Sequence, residues 1–477
     1  MSRVTQKRRQ LDMTNGPLLS KIIMFVLPLM ATNLLQVLYN AADMVVVSLS
    51  TEPDSVGAIG TTSAFINLVI NIFIGFSTGA NVVAANYIGS EDDDGVSKTV
   101  HTSVLMSLIF GVISGAVGIA VSRSVLASMG NTGKLLDLAS LYTVIYFIGV
   151  PFISCTNYCI SILRAKGDTQ TPLVIMASAG ILNVVLNLFF VLVCGMSVDG
   201  VATATVISNV ASAIALLAVL SRENGACKLT LKKLRIDRDA LLRIIKIGLP
   251  AGIQGAIFSV SNMIIQSSII SVNNAMCPSG SSYQPVVKGN SAAANLEGFS
   301  YTATNSVHLA AVSFAGQNTG AGKYDRVRKV MRCCYFVTFC IAVIMGGMTL
   351  LLRVPLLSLY GVHPGTSGSL ERLAYDTAVC RMLYMLTPYF LLAFMEIGSG
   401  ILRGMGYSTT SMLVSLMGSC VLRIIWIYTV FSAVGTLGSV YISYPISWAL
   451  TALTHFVCCM LVLRHISRSQ TEYIPKA

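Results

Sequence analysis

Asp43 stands as a bare carboxylate inside a long apolar run, and it is not alone on its face. Asn33, Gln36, Asn40 and Asp43 recur at i, i+3, i+7 and i+10, one polar stripe on an otherwise apolar helix. A second run carries Asn67, Asn71 and Thr78 at i, i+4 and i+11, and a fifth carries Asn183 and Asn187 at i, i+4. Carboxylate and carboxamide oxygens together suit a hard cation, either sodium or a proton. Asn67 and Asn71 fit equally well as hydrogen-bonding glue between helices. The second half of the chain has its own set. Glu297, Tyr301, Asn305 and His308 fall at i, i+4, i+8 and i+11, while Glu396 and Arg423 lie deep in later runs. Arg423 needs a partner, and Glu396 is the expected one, as a structural ion pair or as part of a substrate site. Glu297 sits near the end of its run, where a carboxylate costs little. His308 reads as a satisfied polar residue rather than a proton relay.

The elements that must position these residues are membrane helices. The chain has 477 residues, 54% hydrophobic and only 11% charged, with a mean hydropathy of +0.73. Soluble domains carry about 25% charged residues. Twelve runs are long enough to span a bilayer, at about 22–49, 61–88, 100–121, 138–162, 172–194, 200–220, 244–272, 294–316, 331–352, 375–402, 409–434 and 437–463. A charge at the centre of such a helix costs about 2.5–3.5 kcal/mol, so the stripe of Asp43 faces protein or water rather than lipid. The net charge of +12 does not point to nucleic acid, because the basic residues flank apolar runs as topology signals do. With the N-terminal tail and every second loop placed in the cytoplasm, six of the 32 Lys and Arg fall outside, namely Arg123, Lys134, Lys288, Arg353, Arg372 and Arg381. Arg423 falls within a span, and the rest are cytoplasmic. Both termini are therefore expected inside. The N-terminus lacks a small-residue cleavage site after a short apolar core and reads as a retained tail. Most of the twelve cysteines, Cys333-Cys334 and Cys458-Cys459 among them, read as small apolar fillers. The stretch 277–291 reads as a Gly/Ser/Pro-rich external loop.

The two sides of the basic stretch 221–246 repeat each other. "VLPL" from Val26 returns as "GLPA" from Gly248, and "NAADMVV" from Asn40 as "SVSNMII" from Ser259. "ANYIG" ending at Gly89 returns as "VSFAG" ending at Gly316, and "ILRAKGDTQTPL" from Ile162 as "ILRGMGYSTTSM" from Ile401. Each half holds six spans, so the repeats are parallel, and transporters built this way bind substrate between the halves. The expected organisation is a cytoplasmic tail (1–21), an N-terminal six-helix bundle (22–220), a cytoplasmic linker (221–243), a C-terminal six-helix bundle (244–463) and a second cytoplasmic tail (464–477).

Two stretches imitate enzyme motifs. "GFSTG" (Gly75 to Gly79) has the spacing of a nucleophile elbow, but it lies in an apolar helix and reads as a small-residue packing motif. "GQNTGAGKY" (Gly316 to Tyr324) has one residue too many for a phosphate-binding loop and Tyr324 where Ser or Thr would hold magnesium. It reads as a cytoplasmic turn. No metal-ligand set or nucleophile–base pair emerges, so an enzyme is not expected.

The sequence resembles the multidrug and toxic compound extrusion (MATE) transporters of bacterial type over about residues 27–463. The resemblance rests on "LP…YNAADMVVVS" in the first span, "LRAKGDTQTP" after the fourth, "NVVLN" in the fifth and "GQNTGAGKYDRVRK" after the eighth. It implies an all-α membrane protein of twelve transmembrane helices, in two pseudo-symmetric six-helix bundles forming a V-shaped cleft. It also implies export of amphipathic, usually cationic compounds in exchange for protons or sodium, and so a part in antibiotic resistance. The first-bundle cation site then looks like Asp43, Asn183 and Asn187, where sodium would bind, with Thr203 on the sixth span. Residues expected to line the cleft are Gln36, Asn40, Asn67, Asn71, Gln254, Asn262, Glu297, His308, Glu396 and Arg423. The chain departs from the family where Asn262 takes the position repeated from Asp43, and where Gln254 replaces a glutamate of some members. Glu396 is left as the acid of the second bundle. No cofactor beyond the coupling ion is implied; the expected setting is a monomer in the bacterial cytoplasmic membrane. The alternative, flipping of a lipid-linked or amphipathic molecule, predicts a cleft rich in Arg and Lys, and the spans supply only Arg423.

Overall fold

Within a bilayer no water satisfies backbone N–H and C=O groups, so a spanning chain must close its hydrogen bonds inside helices or a sealed barrel. All the regular structure among the described residues is helical. The computed structural model describes residues 11–48, 50, 52, 54–276 and 284–472. The first ten residues, the start of the expected external loop (277–283) and the end of the C-terminal tail (473–477) lie outside the described residues.

The helices are α1 (Leu18–Val47), α2 (Ser55–Gly89), α3 (Asp93–Ser128), α4 (Gly133–Lys166), α5 (Gln170–Leu188) and α6 (Val198–Arg222) in the first half. The second half holds α7 (Arg238–Met276), α8 (Pro285–Gly320), α9 (Tyr324–Leu351), the short α10 (Arg353–Ser358), α11 (Leu370–Leu386) and α12 (Tyr389–Gly404). It closes with α13 (Ser408–Ser415), α14 (Leu422–Trp426), α15 (Ser432–Val434), α16 (Leu437–Tyr441) and α17 (Ser443–Glu472). Ten helical stretches among the described residues are long and apolar enough to cross a membrane, and α11 with α12 makes an eleventh span bent by 47°. The bend falls at Thr387-Pro388, where proline removes a backbone donor. The expected eighth span, α8, has 36 residues but is too polar for that test.

Chain contacts group into two compact units. Unit 1 holds residues 24–255 with 1–17 and 316–322; unit 2 holds 256–315 and 323–477 with 18–23. The contacts thus divide within α7, whose first half packs in unit 1. The small-residue reading of "GFSTG" explains why: a Cβ on Gly75 would lie 2.2 Å from the Gly252 nitrogen, and one on Gly79 would lie 2.4 Å from the Ile244 carbonyl. Only glycine lets the two backbones approach so closely. The linker is likewise seated on unit 1. Cys227 and Leu229 are buried in a cluster with Val100, Leu163 and Leu216, and the Thr230 N–H donates to His101 Nε2 at 3.0 Å. Lys166 pairs with Glu223 beside them. Burial pushes the Cys227 thiol up to about 11.

The repeat noted in the sequence reappears as turn geometry. At Gly167 (φ 95°) helix α4 ends in a left-handed cap, with Gly167 N–H on the Arg164 carbonyl (3.0 Å) and Asp168 N–H on that of Leu163 (2.9 Å). At Gly406 (φ 89°) helix α12 ends identically, through Arg403 (2.8 Å) and Leu402 (2.8 Å). Asp168 then starts α5, accepting from the backbone N–H of Gln170 and Thr171. The repeat register at α8 differs from the expected one. A Cβ on Gly89 would meet the Gln317 carbonyl at 1.9 Å, and one on Gly320 would meet the Asn86 carbonyl at 1.9 Å. That reciprocal contact makes Gly320, not Gly316, the counterpart of Gly89. "GQNTG" is accordingly not a turn but the last turn of α8, with Gln317 bonded to the Ala165 carbonyl (2.6 Å) and Asn318 to that of Met13 (3.1 Å).

Candidate functional site

In unit 1, α1 and α5 lie against one another through Tyr39. Its ring rests on Gly180, where an added Cβ would lie 1.8 Å away, and its hydroxyl donates to the Ala177 carbonyl at 3.1 Å. One turn further along α1, Asp43 meets α5 again: Asn187 Nδ2 donates to Asp43 Oδ1 at 2.5 Å and to Asn183 Oδ1 at 3.2 Å. Asn183 Nδ2 in turn faces Thr205 Oγ1 of α6 at 3.4 Å. Asn187 is fully buried, yet its Oδ1 accepts no hydrogen bond. A buried acceptor left open beside a carboxylate costs about 1–3 kcal/mol unless something fills it. A cation does so naturally. Directly after Asn187, α5 widens into a π-helical turn over Phe189–Val193, a form found often at functional sites.

Asp43 opens into a cavity of about 330 Å³ within unit 1, walled by α1, α2, α4, α5 and α6. Gln36, Asn40, Asn67 and Asn183 line it as the sequence suggested, and Asp43 is the one charged residue in its wall among the described residues. Three expectations are corrected. Thr203 does not reach the cavity; its hydroxyl is spent on the Asp199 carbonyl at 2.7 Å, and Thr205, two positions on and so on the other side of α6, takes the place beside Asn183. Asn71 turns to α7, where its Cβ stands 3.3 Å from the site of a Gly255 Cβ. Gln254 is buried in the unit 1 part of α7, outside the cavity wall. Sequence reasoning also missed Tyr142, Tyr146 and Asn157 of α4, and Thr205, Ser208, Asn209 and Ser212 of α6. The last four recur at i, i+3, i+4 and i+7, a stripe that was there to be read.

Unit 2 is organised differently. Arg381, expected outside the membrane, is 9% exposed in α11, with Nη2 on Glu297 Oε2 at 2.7 Å and Nη1 on Asn290 Oδ1 at 2.8 Å. Glu297 is therefore an ion-paired group. Tyr441 OH also donates to Asn290. Glu396 does not pair with Arg423. Its carboxylate lies 3.6 Å from His308 Nδ1, which also meets the Glu396 carbonyl at 2.7 Å. Arg423 instead bonds through Nε to Ser447 Oγ at 2.8 Å, with its guanidinium over the Tyr444 ring at 4.2 Å. Asn262 is exposed on α7. No group of three or more His, Cys, Asp or Glu side chains that could hold a metal occurs among the described residues. A cation at Asp43 would rely on amide oxygens.

The sequence profile of the MatE family matches residues 28–189 and 250–429. The probable multidrug resistance protein YoeA of Bacillus subtilis (strain 168) is 23% identical over 445 residues, covering 90% of this chain and 91% of its own length. The probable multidrug resistance protein YpnP of the same organism is 27% identical over 317 residues, 66% of this chain and 68% of its own. Among solved structures, the outward-facing conformation of a multidrug resistance MATE family transporter of the MOP superfamily superposes with a TM-score of 0.86 at 21% identity, covering 96% of this chain and 99% of that one. The chain is thus a multi-pass membrane protein of that transporter fold and not an enzyme, and it belongs to the MatE family.

Proposed function

We propose that this chain is a secondary active multidrug exporter, moving amphipathic, mainly cationic compounds outward by alternating access in exchange for protons or sodium ions. The observation that carries the reading is Asp43: a carboxylate set among amides at the wall of a cavity, next to a buried amide oxygen with no donor. Such a group can take a proton, or share a sodium ion with Asn187 Oδ1 and neighbouring oxygens of Asn183 and Thr205. Tyr39, Tyr142 and Tyr146 offer ring faces for an aromatic cation. Coupling requires only that ion and compound favour different conformations. The names of YoeA and YpnP support multidrug efflux as the cellular role. In this reading the protein works as a monomer in a bacterial cytoplasmic membrane, with both termini inside and no cofactor beyond the coupling ion. The flippase alternative gains nothing from Arg381, whose charge is taken up by Glu297. The test is dye uptake into inside-out vesicles with proton and sodium gradients imposed separately. Accumulation under one of the two supports the reading, and accumulation under neither removes it.

A further inference from the structure

Between α6 and α7 the chain arches over a second cavity of unit 1, of about 300 Å³, which shares no lining residue with the cavity of Asp43. Both ends of the arch are pinned to neighbouring buried side chains of α3. The Thr230 N–H donates to His101 Nε2 at 3.0 Å, and the Asp237 N–H donates to Thr102 Oγ1 at 2.9 Å. His101 and Thr102 are both buried, and His101 Nδ1 meets the Ser97 carbonyl at 2.7 Å. That contact makes Nδ1 the donor and leaves Nε2 as the acceptor for Thr230. The six residues between the pins, "LKKLRI" from Leu231 to Ile236, are thus held in place at the foot of α7, a helix long and apolar enough to cross the membrane.

The cavity wall carries Lys98, Lys232, Lys233 and Arg235 against two acids, Asp94 and Asp237. Both acids are engaged. Asp94 holds Lys98 at 2.6 Å, and Asp237 accepts from the Ala240 N–H at 3.0 Å where α7 begins. Lys232, Lys233 and Arg235 stand in no ion pair among the described residues. Topology signalling accounts for basic residues beside an apolar helix, but it requires no fixed geometry and no cavity. A second feature is apolar. Leu231 is 78% exposed and Ile236 43% exposed, on either side of the three cations. Apolar side chains left open beside a basic cluster suit a membrane surface, where they meet acyl chains while the cations meet headgroups.

We infer that this cavity binds the phosphate group of an anionic phospholipid, gripped by Lys232, Lys233 and Arg235, with Leu231 and Ile236 against its acyl chains. Arginine offers phosphate oxygens a two-bond fork, and lysine adds point charges beside it. Each Lys or Arg at an anionic membrane surface is worth about fivefold in affinity. A lipid held there fastens the chain between the two halves to the membrane surface. The inference goes beyond the export reading and does not depend on which compounds are exported.

The test offers purified full-length protein in detergent equal concentrations of dioleoyl phosphatidylglycerol and dioleoyl phosphatidylcholine, and counts retained lipids by native mass spectrometry. The unaltered protein is expected to retain phosphatidylglycerol in preference to phosphatidylcholine. Lys232→Gln/Lys233→Gln/Arg235→Gln is expected to weaken that retention by at least about tenfold. Arg222→Gln/Lys228→Gln/Lys246→Gln removes the same charge from exposed residues outside the cavity wall. It should weaken retention by less than about threefold, since only the diffuse attraction is lost. Both variants alter exposed side chains, so each is expected to fold. Equal weakening by the two variants, or no preference for phosphatidylglycerol in the unaltered protein, overturns the inference. Displacement of phosphatidylglycerol by millimolar inorganic phosphate assigns the cavity to a free anion and overturns the lipid assignment.

Discussion

The two halves of this chain share a turn geometry at Gly167 and Gly406, yet they handle charge in opposite ways. In its cavity wall unit 1 has one acid, Asp43, among neutral amides, next to a buried oxygen without a donor. Unit 2 pairs Glu297 with Arg381, sets His308 against the Glu396 backbone carbonyl and leaves an arginine on an aromatic shelf. At the position repeated from Asp43 it has Asn262. Paired buried charges resist change, because separating them exposes an uncompensated ion to a low dielectric. A lone carboxylate in a polar cavity can exchange a proton or a cation at far lower cost. The comparison teaches that a repeated backbone does not imply a repeated site. Under the function proposed above, ion exchange falls to the lone carboxylate of unit 1, and the Arg381–Glu297 pair of unit 2 is structural.

The largest effect that would sharpen this contrast is expected at Asp43. Asp43→Asn should insert and fold, since no packing is lost, and yet abolish dye efflux from intact cells. Asp43→Glu, with the charge on a longer stem, should retain part of it. Next in size is the pair in unit 2. Arg381→Met strands the half-buried Glu297 carboxylate and should destabilise the protein by about 3 kcal/mol, read as a lowered thermal-unfolding midpoint in detergent. The double variant Arg381→Met/Glu297→Leu should regain most of that loss. If Arg381→Met left stability untouched while stopping transport, the pair would be a working site and the contrast would fail. A smaller effect is expected at Asn187. Asn187→Ala removes a donor to a charged group and should cost about tenfold in export rate, with stability little changed. The mildest test concerns which faces are reachable. Cys194 is the exposed thiol among the described free cysteines, whereas Cys227 is buried with its thiol held up to about 11. A membrane-impermeant maleimide applied outside should label Cys194 readily, and Cys227 should resist labelling from either side in the folded protein. Fast labelling of Cys227 would show that the linker is not seated on unit 1.

Much of the unit 1 site was legible because helical periodicity carries it. Gln36, Asn40 and Asp43 share a face by spacing alone, as do Asn183 and Asn187, and the structure brings both faces to one place. What was not legible is which residue meets which across helices. Thr203 and Thr205 differ by two positions on α6, about half a turn, and nothing in a single sequence says which side faces Asn183. The pairing of Arg423 with Glu396 failed for the same reason, since a repeat fixes position along the chain but not the direction of a side chain. Arg381 was counted among the outside charges although it falls within the expected run 375–402; it lies inside α11, which starts at Leu370, and its charge meets Glu297. The short motif at Gly316 was misplaced by four residues because glycine recurs there at Gly316, Gly320 and Gly322, and only the backbone contact with Asn86 selects among them.

The central claim is that ion and substrate exchange at Asp43, and it is tested most directly by what substrate binding releases. Purified protein is held in weakly buffered detergent solution, with sodium-22 present in a parallel sample, and an ethidium-like dye is added. The account predicts release of protons or of bound sodium from the unaltered protein, and no release from Asp43→Asn. Equal release from Asp43→Asn, or dye binding by the unaltered protein with no release of either ion, would contradict it.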